Sequence, residues 1–150
     1  MRADVPVICP IALPIAGLEE LRADAAREGY AFLDRLAEEW ASGANRFDGP
    51  GEVLCGCLDR GDLVAVGGLN RDPFLDDARI GRIRRVYVRP AWRNQKVGTT
   101  LVVWLVDFAR QSFEAVRLRA ENPGAARLYE RLGFTSIDDA HATHILRFDG

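Results

Sequence analysis

Apolar residues recur along this chain with two periods, and the alternation between them outlines the elements. Leu18, Leu21 and Ala25 share one side of Ile15 to Glu28, which predicts a helix broken at Gly29. Phe32, Leu33, Leu36, Ala37 and Trp40 form a second helical stripe, closed by Gly43. Leu101, Trp104, Leu105 and Phe108 follow the i, i+3, i+4, i+7 rule and predict a helix over Val97 to Gln111. The β-branched Val102, Val103 and Val106 argue locally for strand there, but length and periodicity decide for helix. A fourth helix opens at Asn122, a plausible N-cap with Pro123 at the first helical position, and ends at Gly133.

Strand-like runs fill the remainder. Val5 to Cys9 opens the chain, and Val53 to Leu58 and Leu63 to Leu69 flank Asp59-Arg60-Gly61-Asp62, a hairpin signal. Arg79 to Val88, Ala115 to Ala120, Phe134 to Ile137 and Thr143 to Phe148 follow. The order predicts an α+β fold with α/β-type layers. It has a mixed, mostly antiparallel central sheet of about six to seven strands, with about four helices on its two faces.

Length and charge narrow the class. A chain of 150 residues with 48% apolar and 28% charged positions is expected to form a single soluble domain over 1–150. A net charge of −2 argues against nucleic acid as a partner. The apolar run Val5 to Leu18 is interrupted by Pro6, Pro10 and Pro14 and is too short to span a membrane, so a cytoplasmic protein without a membrane partner is expected. Cys9, Cys55 and Cys57 lack metal-type spacing, so no metal site is expected and the thiols read as small buried residues. Oligomeric state stays open, with a homodimer among the options.

One segment departs from this average. No acidic residue occurs from Ala78 to Val106, while Arg79, Arg82, Arg84, Arg85, Arg89, Arg93 and Lys96 all fall there. Lys96 is the chain's only lysine. The basic turn Arg93-Asn94-Gln95-Lys96-Val97-Gly98-Thr99 leads directly into the Val97 helix. Its unpaired N–H groups and positive dipole end would attract a phosphate, most readily a diphosphate.

A second segment, Asn122-Pro123-Gly124-Ala125-Ala126-Arg127-Leu128-Tyr129, ends in Gly133-Phe134. Together the two segments resemble the GNAT superfamily of N-acetyltransferases, and the element order matches that family from first strand to last. The resemblance implies a parallel strand pair that splays to admit acetyl-CoA. It places Val86 and Val88 on the splayed strand beside the pantetheine arm. Arg93, Asn94, Gln95, Lys96, Val97, Gly98 and Thr99 would surround the diphosphate, Asn122 would meet the cofactor arm, and Tyr129 would act as general acid toward the thioester sulfur. Acetyl-CoA is the implied cosubstrate, and the implied acceptor is an amine on a small molecule or peptide, attacked directly in a ternary complex.

Two departures accompany the resemblance. Lys96 occupies a position where the family carries glycine; if the backbone there has φ > 0, lysine costs on the order of 1 kcal/mol, which contact with a phosphate would offset. The glutamate many relatives carry before the turn is replaced by Gly81-Arg82-Ile83-Arg84-Arg85, which leaves the general base unassigned. Glu121, Asp72, Asp76, Asp77, His141 and His144 qualify by chemistry alone. Arg82 and Arg84 share a strand face that could greet an anionic acceptor, and Tyr30 and Trp40 lie on the helix pair expected to roof its site. The alternative reading is a non-catalytic acyl-CoA-binding sensor. A Rossmann-type module would need a Gly-rich turn after the first strand, which is missing.

Overall fold

The computed structural model describes residues 6–149. Its strands are β1 Val7–Pro10, β2 Val53–Asp59, β3 Asp62–Arg71, β4 Ile80–Val88, β5 Ala115–Leu118, β6 Thr135–Ser136 and β7 His144–Arg147. The helices are α1 Leu18–Arg27, α2 Phe32–Ser42, α3 Val97–Ala109 and α4 Pro123–Arg131, with a short 3-10 turn over Pro90–Trp92. The expected start of the first strand at Val5 lies outside the described residues. The strands form one seven-stranded sheet in the order β1-β2-β3-β4-β5-β7-β6. All neighbours are antiparallel except β4 and β5.

The Asp59–Asp62 hairpin closes through Arg60 (φ 55°) and Gly61 (φ 86°), both left-handed. That two-residue turn has the twist of the strands it joins. Helices cover both faces. Leu101, Val102 and Leu105 of α3 pack with β2, β3 and β5 in one core. Leu21, Leu33 and Leu36 of α1 and α2 pack on the other face with Val66 and Tyr87. Each of these fully buried leucines contributes on the order of 2 kcal/mol of hydrophobic stabilisation.

The feature that positions the site is the divergence of β4 from β5. The two strands pair in parallel only where Ile80, Gly81 and Arg82 meet Ala115, Val116 and Arg117. Beneath that pairing, the buried carboxylate of Asp72 lies 2.9 Å from Arg117 and 3.8 Å from Arg82, tying the paired ends together. Beyond Arg82 the edge of β4 facing β5 has no strand partner among the described residues. Arg85 sits at φ 60° in a bulge, where the pairing with β3 slips between Val66 and Gly68 and bends β4. Gly68 is required beside it: a Cβ there would come within 2.3 Å of the Phe47 ring.

The fifth strand is shorter than expected. It ends at Leu118, whose carbonyl accepts from Thr143 N–H (2.9 Å), and Ala120 N–H donates to Thr143 Oγ1 (2.9 Å). Ala120 is thus held by the segment leading into β7 and not by β4. The last two strands are likewise trimmed, because only Thr135 and Ser136 pair with β7.

Candidate active site

The separation of β4 from β5 opens a cleft of about 580 Å3 between β4, the start of α3 and the start of α4. Of the residues singled out in the sequence, Val86, Val88, Arg93, Asn94, Lys96, Gly98, Thr99, Asn122 and Tyr129 all line it. Gln95 and Val97 do not. The Gln95 amide turns back to donate to the Ala91 carbonyl (3.0 Å), and the Val97 side chain is buried in the α3 core. At those two positions only the backbone is left to face a ligand.

The turn into α3 is built from left-handed residues. Asn94 and Lys96 both have φ 64°, so lysine occupies the strained conformation that glycine would take at no cost. Lys96 is the residue before the first helical turn, and its carbonyl accepts from Thr100 N–H (2.9 Å). Its side chain is exposed at the cleft. Gly98 carries no positive φ, and a Cβ there would meet only Val88 at 3.6 Å and Leu128 at 3.8 Å. Packing within the chain therefore does not demand glycine at 98, and the missing Cβ leaves the backbone at the helix N-terminus open to the cleft.

Arg93 is already engaged. Its two Nη groups donate to the Glu28 carboxylate at 2.7 Å each, its Nε donates to the Val88 carbonyl, and its guanidinium lies over the Tyr87 ring. The Arg93 pairing and a hydrogen bond from the Tyr87 hydroxyl hold the Glu28 carboxyl below its ordinary range. Sequence spacing could not reveal this pair, which lies 65 residues apart. On the opposite wall Asn122 Oδ1 caps α4 by accepting from Ala125 N–H (2.8 Å). Its Nδ2 donates to the Tyr30 hydroxyl (3.3 Å), which joins α4 to the segment between α1 and α2.

Tyr129 is 6% exposed and packs against Phe134. Its hydroxyl hydrogen-bonds to no described residue. Burial, with the nearby Glu121 charge, pushes it up to about 12. Tyr129 also lines a second, smaller chamber of about 230 Å3 that continues from the first. Phe32, Val86, Glu121 and Tyr129 are common to both, so they mark the junction.

A model of the "Acetyltransferase (GNAT) family" matches residues 15–134. The chain belongs to that family. It is 35% identical over 86 residues to "Probable N-acetyltransferase camello" of Xenopus tropicalis. That match covers 55% of this chain but only 39% of the relative, so the chain spans well under half of it. A crystal structure from Exiguobacterium sp. 255-15, described as an acetyltransferase, superposes with a TM-score of 0.86 at 25% identity, covering 96% of this chain and 94% of that one. Salmonella typhimurium yncA, whose structure holds acetyl-CoA, shares the fold with a TM-score of 0.66 at 18% identity, covering 97% and 95%.

Within this GNAT fold the structure sorts the acid–base candidates. Asp72 is locked between Arg117 and Arg82, and Asp77 is paired with Arg79 at 2.9 Å. Asp76 projects into solvent near Arg71, and His144 is buried between Thr143 and Glu130. None of these four lines either chamber. His141 reaches the small chamber and stacks on Phe74 at 4.1 Å. Glu121 alone among the candidates lines both. Arg35, Arg119 and Phe74 also line the small chamber and were not singled out in the sequence. Arg119 lies just past the last paired residue of β5, a strand end that the sequence pattern did not mark. Cys55 and Cys57 are buried in the sheet core away from both chambers, and burial pushes the Cys55 thiol up to about 12.

Proposed function

We propose that this GNAT chain, acting as one domain, moves an acetyl group from acetyl-CoA to a primary amine of a small molecule or peptide, within a ternary complex. The observation that carries this reading is Tyr129: a buried wall of two joined chambers whose hydroxyl has no hydrogen-bond partner among the described residues. The larger chamber suits coenzyme A. It combines a helix N-terminus, an exposed lysine, a glycine whose missing Cβ leaves room, and the unpaired edge of β4.

When bound, acetyl-CoA supplies the activated acetyl group. The chain's residues do the remainder. Val86 and Val88 offer a strand edge along which an extended arm can lie. Lys96 and the N–H groups at the start of α3 hold negative charge. Tyr129 keeps its proton at every physiological pH, because burial disfavours the phenolate. Set against an ordinary thiol pKa of about 8.5, full transfer from the resting phenol is uphill. Tyr129 therefore donates a hydrogen bond first and yields its proton only as charge builds on sulfur. Glu121, exposed at the same junction, is placed to take the proton of an arriving ammonium, directly or through water. Direct attack is favoured over an acetyl-enzyme because no cysteine lines either chamber among the described residues.

The test is thiol release from acetyl-CoA across a panel of amines, amino acids and peptides, preceded by denaturation with acetyl-CoA at about a hundred times its Kd. The expected stabilisation is roughly 2.7 kcal/mol, with release that depends on the amine. Stabilisation with no acceptor turned over would mark the chain as an acyl-CoA sensor instead.

A further inference from the structure

The smaller chamber has a charge imbalance that the fold does not resolve. Its lining includes Arg35, Arg82, Arg84, Arg85 and Arg119 against one carboxylate, Glu121. Two of the five cations are neutralised from outside: Arg85 pairs with Glu39 at 3.0 Å, and Arg82 lies 3.8 Å from Asp72 and donates to the His141 carbonyl. Arg82 is thus part of the buried network under the splay, not free to meet a ligand as its place on the strand suggested. Arg35, Arg84 and Arg119 have neither an ion pair nor a side-chain hydrogen bond among the described residues.

Arg84 is the most telling of the three. It is partly buried on β4, two residues before Val86 at the junction, and its Nε is shielded from water without a hydrogen-bond partner. Burial and the adjacent Arg85 lower it to about 10. A desolvated guanidinium without a counter-ion is costly, and an unfilled N–H adds to the cost. A planar, forked donor set of this kind matches an oxyanion. The chamber's 230 Å3 lies below the roughly 300–1,000 Å3 of sites for drug-sized ligands, which favours a metabolite-sized molecule.

Resting on the transferase reading above, we propose that the acceptor is a small amine bearing an oxyanion, carboxylate or phosphate monoester, which Arg84 binds with support from Arg35 and Arg119. The amine end then lies at the Glu121–Tyr129 junction, while the anionic end supplies the charge the chamber lacks.

The experiment compares ethanolamine, β-alanine and phosphoethanolamine, which present a neutral, a carboxylate and a phosphate arm on the same short amine. Each is measured by thiol release and by calorimetric titration into the protein saturated with coenzyme A. At least one anionic arm is expected to exceed ethanolamine tenfold or more in kcat/KM and to bind more tightly, and the favoured arm names the oxyanion. Arg84→Gln should bring the anionic-to-neutral ratio to within about twofold through KM, and Arg84→Lys should restore part of it. Both variants should bind acetyl-CoA like the parent, which reports that they are folded. Anion binding that needs Arg84 without any amine turnover would support this subsite while refuting the transfer reading. Equal binding of all three arms, or an anion preference unchanged in both variants, would overturn the proposal.

Discussion

Lys96 shows how one residue can work against its own backbone. The sequence raised the conflict, because lysine stands where the resembled motif has glycine, and the structure answers it with φ 64°. Replacing Lys96 with glycine should raise stability by about 1 kcal/mol in urea denaturation. The same variant should bind acetyl-CoA more weakly, with a shallower salt dependence, because one exposed cation has gone from the anion site. Equal affinity at every salt concentration would mean that Lys96 does not meet phosphate. Tyr129 and Asn122 were legible for a similar reason, since their spacing along a short capped helix fixes which side they share. Arg93 was legible only in part. Its place in the turn followed from sequence, but its commitment to Glu28 depends on the packing of α1 beside β4.

At the scale of elements, α3 and α4 followed from periodicity and punctuation, while strand ends did not. The bulge at Arg85 lies opposite Gly68, whose backbone the Phe47 ring approaches, and no local pattern encodes either the slip or that approach. The early end of β5 at Leu118 likewise depends on Thr143, far along the chain. Asn122 links an element to the site, capping α4 with its Oδ1 and holding Tyr30 with its Nδ2. Asn122→Ala should cost about 1 kcal/mol of stability through the lost cap. Asn122→Ser should recover most of that stability without recovering acetyl-CoA affinity, if the amide also meets the cofactor arm. Full recovery of both by serine would reduce Asn122 to a cap.

For the whole molecule, the sheet order and the parallel pair agree with the architecture the resemblance implied, and the match over 15–134 makes the family explicit. What the sequence left hidden is the partition of the opening into two chambers. Arg35, Arg84, Arg119 and Phe74 come from different parts of the chain, and only the splay of β4 from β5 brings them around one space. Tyr129 lies buried between the two chambers, and its hydroxyl has no hydrogen-bond partner among the described residues. The role of Tyr129 is tested most directly by comparing the parent with Tyr129→Phe, measuring acetyl-CoA Kd by calorimetry and thiol release from pH 6 to 10. The expected Kd is within about twofold of the parent, and the expected rate is lower by roughly a hundredfold or more. The parent profile should show no falling limb from loss of the Tyr129 proton, because burial pushes that hydroxyl up to about 12. An unchanged rate in Tyr129→Phe, with acetyl-CoA still bound, would rule out Tyr129 as the general acid.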